Sequence, residues 1–309
     1  MLDLRRMMLL CDLAELGTVT AVADRRSITS SAVSQQLRVL EEEAGATLFR
    51  REGRTLGLTR GGLVLAEHAR RVLGAVDQAM SAVAATADRT SGRLIVASFN
   101  LGVRLLAAPM TVRLGAEQSD IDVQLRQVDR AGALRQLRQG EADLAITCDY
   151  DFGRHESLTG LRSVPLLTEP LVLLAPRHLH ATIRCRGLGA LTEEQWATGV
   201  PDSGLHIALL RAADRAGFTP RITHQLVGSA NICELAATGI AVAVAPALAV
   251  SERHAPLVVE GLDLESRRIE VVTRAGRLED PNAVAAVRVL QEIGAEVEAS
   301  ITGSWVSVA

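Results

Sequence analysis

Apolar residues in the first sixty positions recur at helical spacing. Leu4, Met7, Cys11 and Ala14 stand three and four apart, which predicts an amphipathic helix over about residues 3–16. Gly17 stops it, and Thr18 can cap a short second helix from Val19 to Arg25, with Ala21 and Val22 inward. Thr29 is a good N-cap for a third helix reaching about Ala44, with Gly45 as its stop. Ile28, just before that cap, is placed to pack on Val33 as a hydrophobic staple. Val33, Leu37 and Leu40 share the buried face of the third helix, whereas Ser30, Ser31, Ser34, Gln35 and Arg38 face outward.

Leu48-Phe49 and Leu56, Leu58 then flank a charged glycine turn, the pattern of a small β-hairpin. Thr59 caps a long helical stretch reaching about Ala87, roughly 43 Å at 1.5 Å per residue. Within it Gly62, Ala66, Ala69, Leu73, Val76, Met80, Val83 and Ala87 alternate spacings of four and three, an a/d seam. Such a seam calls for a partner helix; packing against the chain's own C-terminal domain is the alternative.

After a polar stretch from Asp88 to Gly92 the pattern changes to alternating strands and helices. Strands are expected at Leu94–Ala97, Ile121–Leu125 and Leu144–Thr147, with helices over Leu101–Leu114 and around Leu134 and Leu137. This βαβαβ order implies a parallel sheet with right-handed crossovers. The apolar run ending at Ala175 opens a second unit, continued by helix Leu205–Ala216, strand Arg221–Val227, helix Ala230–Ala237 and strand Ile240–Ala245. Ile269–Thr273 reads as a strand crossing back to the first unit, Asn282–Glu298 as a closing helix, and Ile301–Ala309 as a frayed tail.

Composition narrows the function. The chain has 309 residues, enough for two or three domains, and is 48% hydrophobic and 22% charged, an ordinary globular balance. All 33 basic residues are arginine, which reads as genomic composition bias. Residues 1–71 hold 11 arginines against 9 acids and the remainder 22 against 27, a weakly basic head on an acidic body. There is no run of 18 apolar residues, and the charged start lacks the apolar core of a signal peptide, so a cytoplasmic protein is expected. Cys11, Cys148, Cys185 and Cys233 are scattered and His178-x-His180 has no third ligand nearby, so neither a metal nor a cofactor is expected.

Two helices, a tight turn and a third helix with a polar face fit a helix-turn-helix, or an ordinary helical hairpin. On a DNA-reading helix the serines allow deep seating in the major groove, Gln35 can bond adenine, and Arg38 can reach phosphate or guanine. The following hairpin then reads as a wing, with Arg51 and Arg54 placed for phosphate or minor-groove contact, or as a solvated charged turn.

The run Gly17-Thr18-Val19-Thr20-Ala21-Val22-Ala23, the block Ser30 to Glu41, then Leu48-Phe49-Arg50-Arg51 and Leu58-Thr59-Arg60-Gly61-Gly62 together resemble the LysR-type transcriptional regulators. The resemblance is strong over residues 1–65 and looser through the rest. It implies an α/β chain with an N-terminal winged helix-turn-helix (1–60), a linker and dimerisation helix (61–89) and a bilobed, periplasmic-binding-protein-like α/β effector-binding domain (90–309). Lobe I would take about 90–165 and 269–300, and lobe II about 166–268. Carried over, the DNA contacts are Ser30, Ser31, Ser34, Gln35, Arg38, Arg51 and Arg54; many relatives have Arg where this chain has Gln35. Dimerisation would use Ala66, Ala69, Leu73, Val76, Met80 and Val83. The implied partners are double-stranded DNA carrying an imperfect inverted repeat, a small-molecule effector, a second copy or a tetramer, and RNA polymerase.

The effector is expected in the interlobe cleft, beyond the carboxyl ends of strands and near helix starts. Ser98 and Asn100 follow the first strand, and Thr147 and Cys148 the third. Ser203, Gly204 and His206 open one second-lobe helix, and Asn231 the next. Free N–H groups and serine hydroxyls there suit a carboxylate, although Asp149 and Asp202 stand nearby, and Ser98, Ser203 and Ser229 can instead be plain helix caps. Tyr150 and Phe152 would supply apolar walls, Trp196 and Trp305 fit core or tail positions, and Cys148 fits a small buried thiol. An enzyme on the same scaffold is the second reading, but no GxSxG, P-loop or HExxH occurs. A solute-binding protein would leave the first ninety residues unexplained.

Overall fold

The computed structural model describes the chain apart from residues 53–54, 86–90, 118–119, 151, 153–157, 159, 275–276, 279 and 307–309. The head consists of α1 (Leu4–Leu16), α2 (Val19–Arg26), α3 (Ser30–Ala44) and a hairpin of β1 (Phe49–Glu52) and β2 (Thr55–Leu58). Thr18 and Thr29 accept the backbone N–H groups of Ala21 and Ala32, and Gly17 and Gly45 take the left-handed conformation that ends α1 and α3. The caps therefore fall where the residue types predict them. Leu10, Leu13, Val22, Val33, Leu37 and Leu40 fuse the three helices into one core. Ile28 does not staple the third helix: it is 44% exposed, because the left-handed Ser27 turns the chain outward before the cap.

The long helix α4 (Arg60–Ala85) starts against the hairpin. A Cβ on Gly62 would collide with the Leu48 carbonyl, so only glycine permits this approach. Ala66 and Ala69 are buried within the chain itself, and the Cys11 thiol bonds the Ala66 carbonyl at 3.6 Å. This corrects the seam. Those two alanines belong to the junction of α1 and α4, and the apolar residues left open on α4 include Val72, Val76 and Val83. Leu73 is half-buried; the Met80 side chain lies outside the described residues.

The remainder forms two α/β lobes. Lobe I opens with β3 (Ser91–Ser98), then α5 (Asn100–Gly102) running through a π-turn at Val103–Ala107 into α6 (Ala108–Ala116). It continues with β4 (Asp120–Gln127), α7 (Arg130–Gln139) and β5 (Leu144–Tyr150). Next, β6 (Leu161–Leu174) is a single strand that leaves lobe I and enters lobe II. Lobe II adds α8 (Arg177–Arg186), β7 (Gln195–Gly199), α9 (Gly204–Arg215), β8 (Arg221–Leu226), α10 (Ser229–Ala237), β9 (Val242–Pro246) and the short β10 (Val258–Val259). Finally β11 (Ser266–Arg274) returns to lobe I, and α11 (Pro281–Val306) closes it.

The sheet is mixed. The strand order is β4-β3-β5-β11-β6-β9-β7-β8, with parallel pairing inside each lobe and antiparallel pairing where β11 and β6 cross between them. The expected parallel sheet holds only for the βαβ units, because the crossing strands run against them. In lobe I, Leu94 and Val96 pack under α6 and α11, whereas Ile95 and Ala97 pack under α7, so both faces of β3 are dry. Residues 301–306 continue α11 rather than fraying, and Ile301 is buried.

Candidate DNA-reading and effector sites

On α3 the polar face stands open. Ser30, Ser31, Ser34, Gln35 and Arg38 are all exposed. The Ser34 hydroxyl donates to the Ser30 carbonyl at 2.9 Å, Ser31 bonds the Thr29 hydroxyl at 3.0 Å, and Arg38 pairs with Glu42 at 3.2 Å in full solvent. These are weak, local bonds that a phosphate or base edge can replace. The next residue inward, Gln36, accepts from Arg6 instead, and Arg6 also pairs with Glu43, which fixes α1 against α3. Asp12, only 5% exposed, holds Arg26 at 2.5 Å and Arg25 at 3.4 Å, so two arginines of α2 serve the head's own structure. Glu41 accepts the Leu48 and Phe49 N–H groups and so fixes the hairpin to α3. Arg54 and the side chain of Arg51 lie outside the described residues.

Between the lobes the residues sort by strand face. Thr147 is buried and points toward α7, where Arg130 bonds its hydroxyl at 2.8 Å and the Glu270 carboxylate at 2.8 Å. Cys148 and Tyr150 lie along the same strand, with Cys148 on the opposite face from Thr147. Tyr150, Arg267 and Glu169 are register partners across β5, β11 and β6. Arg267 is 4% exposed and Glu169 0%. The guanidinium donates to Glu169 at 2.6 Å, to the Tyr150 hydroxyl at 3.4 Å and to the Cys148 sulfur at 3.8 Å, and it lies 5.4 Å from the Phe99 ring centre. The second oxygen of Glu169 accepts the Leu248 N–H of lobe II at 3.0 Å. Burial pushes the Tyr150 phenol up to about 12 and also raises the Cys148 thiol.

The other expected effector residues scatter. Ser98 is buried and donates to the Phe99 carbonyl, filling the room that Gly102 leaves; it does not cap α5. Asn100 is exposed at the start of α5. Ser203 does cap α9 by accepting the His206 N–H, and the Nδ1 atom of His206 is buried without a hydrogen-bond partner. Gly204 touches Tyr150: a Cβ there would fall 2.8 Å from the ring carbon Cζ, inside van der Waals contact. Asn231 bonds the Val227 carbonyl, and Ser229 makes no cap. The structure thus gathers Cys148 and Gly204 with Phe99, Tyr150, Arg267 and Glu169. Sequence reasoning missed the last two. The signal was there: Glu169 sits in an apolar strand, and a buried carboxylate needs a cation.

A head with an exposed polar recognition helix, a long helix and two lobes around a crossing pair of strands matches two family models. Residues 4–63 match the bacterial regulatory helix-turn-helix protein, lysR family, and residues 87–295 the LysR substrate binding domain. The chain belongs to the LysR family of transcriptional regulators. It is thus a DNA-binding transcriptional regulator with an effector-binding domain. Among named relatives, regulator CbbR of Rhodospirillum rubrum is 27% identical over 297 residues, covering 93% of this chain and 95% of that one. The crystal structure of ArgP from Mycobacterium tuberculosis superposes with a TM-score of 0.68 at 23% identity, over 95% of this chain and 98% of that one. Full-length LysG from Corynebacterium glutamicum, solved with bound effector Arg, superposes with a TM-score of 0.60 at 18% identity, over 96% and 99%. No helix among the described residues is long and apolar enough to cross a membrane, and no group of His, Cys, Asp and Glu among them could hold a metal.

Proposed function

We propose that this LysR-family regulator reads an imperfect inverted repeat with α3 and responds to a small effector held between the lobes. The open polar face of α3 carries the first half of this reading: Ser30, Ser31, Ser34, Gln35 and Arg38 reach outward. Gln35 favours adenine where many relatives would read guanine. Arg51 and Arg54 of the wing bind the flanking backbone or minor groove. Val72, Val76 and Val83 on α4 pair two copies, which sets two heads on a two-fold-related site, as a dimer or within a tetramer. The effector lies against Cys148 and Gly204, where Arg267 supplies a hydrogen-bond donor; LysG, a structural neighbour, is solved with an amino acid bound as effector. The protein acts in the cytoplasm, contacts RNA polymerase and catalyses no reaction.

Footprinting of the purified full-length protein on DNA upstream of its own gene, at two salt concentrations, tests the reading. A protected, two-fold-related site that survives added salt is expected. Salt-labile coating of any DNA alone would refute it.

A further inference from the structure

The chain contains four Phe, two Trp and one Tyr. Two of these, Tyr150 and Phe152, pack on each other where the lobes touch, and Phe99 lies 5.4 Å from the guanidinium that the tyrosine reaches. Tyr150 projects from the last position of β5 in lobe I and packs against the apolar core of lobe II. Its ring lies on Gly204, the first residue of α9, where any side chain would enter the ring. The Phe152 ring stands 5.5 Å away at a tilt of 54°. The hydroxyl ends at Arg267, which is held by Glu169, and Glu169 holds Leu248 of lobe II. One aromatic side chain of lobe I therefore fills a slot with a flat floor, an aromatic wall and a hydrogen-bond donor at its far end.

We propose that Tyr150 is a built-in occupant of the cleft that latches the lobes together, and that the effector is a small planar molecule with a hydrogen-bond acceptor that takes the ring's place. The ligand class follows from the slot. Glycine as floor admits a flat group and nothing bulkier. Phe152 favours another π-system. Arg267 already has its carboxylate, so it offers the incoming molecule a donor without demanding a second full negative charge. Displacement gives the effector a differential affinity for two arrangements of the lobes, which a ligand needs in order to shift their populations. The proposal rests on the cleft being the effector site.

Tyr150 is the only tyrosine, so the full-length protein labelled with 3-fluorotyrosine gives one fluorine resonance from the latch. The expected resonance lies away from its position in the urea-unfolded chain, and Gly204→Ala moves it toward that position. A wild-type resonance at the unfolded position, or no movement in Gly204→Ala, overturns the latch. The wild-type measurement needs no variant to fold. In Tyr150→Ala the slot is empty, and p-cresol, the tyrosine side chain as a free molecule, is expected to bind it at least tenfold more tightly than it binds wild type by calorimetry. Equal binding to both, or none to either, overturns the displacement. The fluorine signal requires no effector, whereas the footprint repeated with candidate effectors tests the cleft reading, so the two failures are told apart.

Discussion

The Arg267–Glu169 pair offers the sharpest test of how the lobes are joined. Both side chains are essentially removed from water, at 5% and 0% exposure. Taking two charges out of water costs more than a simple contact returns, so the pair stands only while both members are present. Glu169→Gln keeps the shape but leaves the guanidinium buried without its counter-charge. Breaking a buried pair by removing one partner costs about 3–5 kcal/mol, a large share of the roughly 5–15 kcal/mol that holds a domain folded. With a urea m-value of about 2–3 kcal/mol/M, the midpoint should fall by about 1–2 M. Glu169→Gln combined with Arg267→Met removes both charges and should recover most of that loss, because no buried charge is then left without its partner and the amide oxygen can still accept the Leu248 N–H. Urea unfolding followed by the fluorescence of Trp196, fully buried in lobe II, measures all three proteins. A single variant within 0.5 kcal/mol of wild type (about the error of such comparisons), or a double variant no better than the single, would refute the reasoning.

Three further outcomes follow from the same geometry. Gly62→Ala drives a methyl into the Leu48 carbonyl and should cost the head about 1–3 kcal/mol, read as an earlier thermal transition and weaker operator binding. Val76→Glu places a charge on the open stripe of α4 and should raise the dimer dissociation constant at least tenfold by sedimentation; an unchanged constant would place the dimer contact elsewhere. His254 is buried, and this burial, with Arg253 beside it, lowers its pKa below the ordinary 6.5. The unfolded chain therefore binds a proton that the folded chain refuses, and stability present above pH 6.5 declines as pH falls through it. His254→Gln should flatten that part of the stability–pH curve.

Local chemistry made the head legible. Thr18, Thr29, Gly17 and Gly45 act through bonds to residues no more than four positions away, so a one-dimensional reading finds them. The βαβ units of both lobes follow from the same kind of periodicity, but α8 and β7 were missed. The first is short and rich in Arg and His, and the second is a five-residue strand whose apolar pattern is only Trp196 and Ala197, ahead of the turn at 201–204. The antiparallel crossing of β6 and β11 depends on which strands meet across about 100 residues of chain, and no local pattern encodes that.

Close approach is the other blind spot, and it bears directly on function. Ala66 and Ala69 carry a correct helical period, yet a period says only which residues share a face, not what covers it. Here α1 covers Ala66 and Ala69, whereas Val76 and Val83 of the same seam stay open, with Val72 beside them. Gly74 and Gly140 look like incidental glycines in the sequence. In the fold a Cβ on Gly74 would stand 3.0 Å from the Gly140 Cα, and one on Gly140 2.9 Å from the Gly74 Cα. Beside them Arg70 pairs with Glu141 at 3.0 Å. The long helix that carries the DNA-reading head therefore rests backbone to backbone on the α7–β5 turn of lobe I, in the lobe that also carries Tyr150. Two backbones in contact leave no side chain between them to absorb a shift.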